Sequence, residues 1–201
     1  MDNPVIEAAL NSLKIEQDEI KRLISYLDQD ALLKAIEILD SCKSIMTVAS
    51  GSSGIAARKF AHSLCCIERH AMFMSPCEAL HGGLGALDSK DVMVMVSMGG
   101  KTAELLPIIS VCNKKGAILI AVTENDESIL AQQADLVLKL NIEKESDPLG
   151  LMATSSYITT IALFDAILAG LIVKTDFTSE QFSIIHPGGA VGEMLNKIWK
   201  E

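Results

Sequence analysis

Two short stretches crowd hydroxyls and glycines together in a way that suits a phosphate. In ASGSSG (residues 49–54), Gly51 and Gly54 let the backbone turn sharply and approach a ligand, while Ser50, Ser52 and Ser53 set hydroxyls beside the free amides of a following helix. Outward N–H groups and the positive end of the helix dipole favour an anion there. SMGGKT (97–102) repeats the pattern through Ser97, Gly99, Gly100 and Thr102, and Lys101 adds a positive charge. Each stretch alone reads equally well as a tight strand-to-helix turn with a Ser or Thr cap. Two at equivalent strand ends point to one phosphate held from both sides. The GKT triplet is no nucleotide P-loop, because Met95 stands where that motif needs glycine, and no GxGxxG follows the first strand.

Four further stretches carry more polar chemistry than plain turns need: ALHGGLG around His81, KESDPLG around Glu145, the TSS of Thr154 to Ser156, and HPGGAVG around His186. Glu145 reads either as a general base or as a solvated charge in an acidic run. His81 and His186, each taken alone, read as structural or exposed histidines. His186 precedes Pro187, which favours an extended backbone, and Gly188 and Gly189 then lead into a last short helix. No third ligand at helical or hairpin spacing completes a metal site, and no cofactor is expected.

The elements that must position these residues alternate along the chain. Ile6, Leu10, Leu13, Ile20, Leu23, Ile24 and Leu27 recur at helical spacing, and Leu32, Ala35, Ile36 and Leu39 follow Asp30 as an N-cap. From Ile45 short apolar runs take over: IMTVA (45–49), VMVMV (92–96) and AILIAV (117–122), with weaker strands near His70 to Met74 and Leu136 to Leu140. Runs apolar at nearly every position suit parallel strands covered on both faces. Helical patterns fall at about Ile55 to Ile67, Thr102 to Lys114 and Glu127 to Gln133. This order predicts an α/β three-layer fold with a central parallel sheet, whose ligand sits at the carboxyl ends of the strands. Residues 1–44 read as a helical extension and residues 45–201 as the phosphate-binding domain.

With 201 residues, 17 Lys and Arg against 26 Asp and Glu, and a charge of −9, the chain offers no basic stripe for nucleic acid. Five cysteines without a CxxC pair suggest a reducing cytoplasm, and the charged start is unlike a secretory signal. The apolar segment Tyr157 to Val173 carries Thr159, Thr160 and Asp165 and reads as a buried helix rather than a membrane anchor. Surplus apolar stripe on the first helices and on this segment predicts contacts between subunits.

Taken together, the motifs resemble the SIS (sugar isomerase) domain, and within it the arabinose 5-phosphate isomerase family. That family shows a strand-loop GxGxSG, an EAxHGxLG stretch, SxSGxT/S-xE, KExxPLG followed by TSS, and a terminal HPGGAxG. Here the matching stretches, in order between residues 45 and 195, are ASGSSG (49–54), EALHGGLG (78–85), SMGGKTAE (97–104), KESDPLGLMATSS (144–156) and HPGGAVG (186–192). The resemblance implies a five-stranded parallel sheet, a homodimer or homotetramer, and reversible conversion of an aldose phosphate into a ketose phosphate through an enediol. By position, Ser53, Ser97 and Thr102 would bind phosphate, with Gly51, Ser52, Gly99, Gly100 and Lys101 around them and His81 near the sugar. Glu145 would be an acid/base, and His186 would assist ring opening or proton transfer, with a tendency in the family to serve a neighbouring subunit's site.

The departures are specific. Ser52 stands where relatives have Lys, Lys101 where they have an acidic residue, Gly99 where they have Ser, and Gly83 where HGxLG carries an acid. They imply a different phosphosugar, or a phosphosugar or nucleotide-sugar sensor that binds without turnover. Ending at Glu201, the sequence also reads as a form without the paired CBS modules of many relatives.

Overall fold

The computed structural model describes residues 3–189 and 192–194. Five strands, β1 (Ile45–Val48), β2 (Ala71–Met74), β3 (Val92–Val96), β4 (Ile118–Thr123) and β5 (Leu136–Lys139), form one parallel sheet in the order β2-β1-β3-β4-β5. Ile45 pairs with Ala71 on one side and Val92 on the other. The helices are α1 (Pro4–Tyr26), α2 (Gln29–Ser41), α3 (Gly51–Cys65), α4 (Pro76–Leu80), α5 (Leu106–Lys115), α6 (Ile129–Gln133), α7 (Ser155–Lys174) and α8 (Ser179–Ile185), with a 3-10 turn at Gly83–Ala86. The expected three-layer α/β fold is what the chain adopts.

VMVMV in β3 shows how an unbroken apolar run serves two layers. Side chains alternate between the faces of a strand. Val92, Val94 and Val96 join α2, α3 and α7, whereas Met93 and Met95 join α5 and the 3-10 turn. Phe60 of α3 stacks on Phe164 of α7 with centroids 4.1 Å apart. A Cβ on Gly170 would lie 2.4 Å from Ile36 Cδ1, so glycine there lets α2 close onto α7. Among the described residues α7 is the one helix long and apolar enough to cross a bilayer. Its burial in this core, with Leu163, Phe164 and Ile167 almost fully covered, accounts for that composition.

Two expected boundaries shift. α2 is capped by Asp28, not Asp30: Asp28 Oδ1 accepts from the amides of Asp30 and Ala31 at 2.9 and 3.0 Å, which puts Asp30 in the first turn. Asp28→Ala is expected to cost about 1 kcal/mol and to lower the melting temperature by about 2–4 °C, read by circular dichroism. The helix expected from Thr102 begins at Leu106 instead. A start at Thr102 would bury Pro107 in the helix interior, where it has no N–H to give and its ring clashes with the preceding turn. α4 and α8 carry sequence signals of their own: Ser75 before Pro76, and a capping box between Thr178 and Gln181.

Much of α1 stays uncovered, including Val5, Ile6, Leu10, Leu13 and Ile24; so do Leu149, Leu151, Met152 and Val173.

Candidate phosphate and acid/base site

In this strand order the chain leaves β1 toward β2 and β3 toward β4, so the crevice opens between β1 and β3, the switch point where open parallel sheets take ligands. The two Ser and Gly stretches flank it. After β1, α3 begins at once at Gly51, whose φ of +58° suits glycine, and a Cβ on Gly54 would meet the Ala49 carbonyl oxygen at 2.9 Å. The first intrahelical bond runs from the Gly54 amide to Ser50 O, and Ser50 makes no side-chain cap. The amides of Gly51, Ser52 and Ser53 therefore open outward at the positive end of a 15-residue helix.

After β3, Ser97 and Thr102 bring their hydroxyls to 2.9 Å across a turn closed by the Gly100 amide bonding to Ser97 O at 3.0 Å. Ser97 is buried, Thr102 half-buried and Lys101 exposed. A cleft of about 420 Å³ opens beside the first stretch: Ser50, Gly51, Gly54 and Arg58 form one wall, Phe73, Ser75 and Cys77 another, and Glu104, two residues past Thr102, completes the lining. Arg58, one and two turns after Gly54 and Gly51, carries the cleft's positive charge, its guanidinium carbon 4.6 Å from the Phe73 ring centroid.

Glu145 caps α7. Its Oε2 accepts from the Thr154 amide (2.9 Å), the Thr154 hydroxyl (3.0 Å) and the Ser156 amide (3.1 Å). Partial burial works against the charged form, but the hydrogen bonds from Ser156 and Thr154 outweigh it and hold the carboxyl below the usual glutamate range. Glu124, just past β4, shifts the other way: burial raises it, the Ile142 amide lowers it, and the charges of Glu145 and Glu19 raise it again. Two nearby carboxyls with opposed shifts are what acid/base chemistry needs. α3 starts directly after β1, and Glu145, bonded to the first turn of α7, acts on Glu124 just past β4, so both helix N-termini lie at the carboxyl end of the sheet.

Neither His81 nor His186 is among the residues that line this cleft. His81 is exposed at the C-terminus of α4. His186 ends α8, its ring stacked on Phe182 at 3.7 Å and its Nδ1 3.2 Å from Phe182 O. Its φ of −119° and ψ of 65° leave it outside the helical region but short of fully extended. Ile185 lines a cavity with Ser44, Ile45, Glu68 and Ala71, which places α8 at the N-terminal edge of the sheet. α7 spans about 30 Å, so within one chain His186 and Glu145 sit at opposite ends. Gly189 and residues 192–194 are helical, and Ala190 and Val191 of the HPGGAVG stretch lie outside the described residues.

Residues 38–170 match the family model described as "SIS domain". The chain belongs to the SIS domain family. It is 35% identical to the arabinose 5-phosphate isomerase KdsD of Pseudomonas aeruginosa over 191 residues, 94% of this chain and 58% of that protein. The KdsD of Escherichia coli K12 is likewise 35% identical, over 94% and 58%. The chain thus spans a little over half the length of these curated relatives. Among solved structures, a protein from Listeria monocytogenes superposes with a TM-score of 0.90 at 40% identity, covering 94% of this chain and 100% of that one. The c3406 protein of E. coli CFT073, solved with bound arabinose 5-phosphate, gives 0.88 at 30% identity, covering 93% and 100%.

Within the SIS frame the departures have distinct structural standing. A Cβ at Gly83 would lie 2.6 Å from Met74 Sδ and 2.7 Å from Glu78 O, so this backbone has no room for an acidic side chain there. At Gly99 a Cβ would meet only Lys101 Cγ at 4.0 Å, so serine would fit. Ser52 and Lys101 are both exposed. Sequence reasoning passed over Arg58, Ser75, Cys77 and Glu124. Arg58 was legible as the residue seven after Gly51 on the same helix face; Glu124 had no local signal, because its neighbours come from a distant loop.

Proposed function

We propose that this SIS protein is a sugar-phosphate isomerase, interconverting an aldose phosphate and its ketose partner by an enediol route. The observation that carries the reading is the pairing of α3's uncapped N-terminus with the Ser97–Thr102 hydroxyl pair across one switch-point crevice, near an ionised carboxylate. The phosphate would take the amides of Gly51 to Ser53 and the hydroxyls of Ser53, Ser97 and Thr102. Lys101, with Arg58 in the cleft, would supply the positive charge that relatives place at the Ser52 position. Glu145 would take the proton from C2 while the carbonyl oxygen at C1 is protonated, then return a proton to C1 as the C2 hydroxyl becomes the ketone. The change is internal to the sugar, so the scheme calls for no redox cofactor. His81 would lie near the sugar, and His186 would open the ring at a neighbouring subunit's site, which fits its distance from Glu145 in its own chain. The uncovered apolar side chains of α1 and α7 support a homodimer or homotetramer.

Incubating the protein with pentose and hexose phosphates in deuterated water should exchange the hydrogen next to the carbonyl of one of them. Cys77 adds a second readout, since it lines the cleft and is exposed, as is Cys65 at the other end of α3. The true substrate should slow alkylation of Cys77 and leave Cys65 unchanged. Cys112 should stay unreactive, because burial pushes its thiol up to about 12. Ser52 and Lys101, standing where relatives have catalytic groups, favour a second reading as a phosphosugar sensor. Protection of Cys77 by a phosphosugar without any isotope exchange would select that reading.

A further inference from the structure

Glu19 of α1 is buried at 3% exposure and takes no part in the scheme above. Its neighbours give it a purpose. The last ladder-type bond after β5 runs from the Leu140 amide to Thr123 O, and from Asn141 onward the chain leaves the sheet. Side chains then take over its amides. Asn141 N donates to Tyr26 Oη at 3.0 Å, and Ile142 N to Glu124 Oε1 at 3.0 Å. Glu143 N and Lys144 N both donate to Glu19 Oε1, at 3.1 and 3.2 Å. Ser146 N donates to the Thr154 hydroxyl at 2.7 Å, and the Ser146 hydroxyl donates to Glu16 Oε1 while accepting from Ser12. Ser12, Glu16, Glu19 and Tyr26 recur at helical spacing, so α1 presents one polar stripe to residues 141–146. The residue enclosed by these contacts is Glu145.

We propose that Glu19 is a positioning residue for Glu145: by holding the amides of Glu143 and Lys144 it fixes the backbone from which Glu145 reaches the first turn of α7. The inference rests on the reading of Glu145 as the acid/base group. Glu19 is buried and accepts from two consecutive amides, so truncating it removes both bonds at once. Glu19 Oε2 lies 3.5 Å from Arg22 Nε, within ion-pair range but not aligned as a hydrogen bond, while Arg22 also pairs with the Glu143 carboxylate. The charged groups around the loop are thus Glu16, Glu19 and Arg22 from α1, Glu124 from the end of β4, and Glu143 and Lys144 on the loop itself.

The test compares Glu19→Ala, Glu19→Gln and Glu19→Asp in the full chain. Glu19→Ala should lower kcat by about 10- to 100-fold with little change in KM, since the phosphate contacts lie elsewhere. Glu19→Gln keeps the carbonyl acceptor and should recover most of that loss; Glu19→Asp falls short by one methylene and should behave as Ala does. An NMR titration of the Glu145 carboxyl needs no turnover and stands even if the isomerase reading fails. Glu19→Ala should raise the pKa of Glu145 toward the ordinary value, because a loosened loop loses the α7 bonds, whereas removing a nearby negative charge alone would lower it. Should Glu19→Ala not fold, Glu19→Asp decides by the same titration. A folded Ala or Asp variant with kcat and the Glu145 titration unchanged, or a Gln variant as impaired as Ala, would overturn the proposal.

Discussion

Glu145→Gln is expected to slow isomerisation by about 10²- to 10⁴-fold while leaving the affinity for phosphosugar within a few fold. Glutamine keeps a carbonyl oxygen for the Thr154 and Ser156 donors, so α7 stays capped. It cannot take a proton. Isotope exchange and isothermal calorimetry on the same preparation separate the two effects; equal losses in both would mean that Glu145 serves only the architecture. The ionised carboxylate also contributes to stability, and the sign of its pH dependence is fixed. Its pKa is lower folded than unfolded, so the contribution is complete above the unfolded value of about 4.3 and is lost as pH falls through the folded one. The wild type should therefore lose melting temperature below about pH 4.3 more steeply than Glu145→Gln.

Gly100→Ala is the most damaging small change expected in the binding loops. The new Cβ would lie 2.0 Å from Ser128 Oγ and 2.4 Å from Ser128 Cβ, at a φ of +62°. Left-handed backbone costs alanine about 1 kcal/mol and forced overpacking a further 1–3, or roughly 2–4 kcal/mol together. That corresponds to a melting temperature lower by about 4–16 °C. Ser128 cannot simply move aside, because its hydroxyl accepts from the Ala131 amide as the cap of α6, and Gly100 O accepts from Leu130 N. The strain should pass into the Ser97–Thr102 turn and weaken phosphate binding with it. Gly99→Ala is the control: with open space at that position it should stay within about 0.5 kcal/mol of wild type. If both variants melt alike, the close approach to Ser128 is not what fixes this turn.

The parts of the molecule legible in the sequence are those set by local chemistry. VMVMV and AILIAV declare buried parallel strands because covered strands have no wet face, and the glycines of ASGSSG and SMGGKT mark the turns. The start of α5 was also written locally, in Pro107, but the apolar pattern running back to Thr102 hid it. What stayed hidden depends on contacts between distant segments. Nothing near Glu19 announces that it will hold amides more than 120 residues away, since only the packing of α1 beside α7 brings them together. Glu145 likewise read as a base or a solvated charge, because its partners Thr154 and Ser156 become donors only once α7 has formed.

The length of α7 has a consequence for how activity should respond to dilution. If Glu145 and His186 both serve one reaction, the catalytic unit is an assembly and turnover follows mass action between chains. Specific activity should then collapse below the dissociation constant of that assembly. Co-purified pairs of singly inactivated chains, one carrying Glu145→Gln and the other His186→Ala, should by the same logic regain function that neither possesses alone.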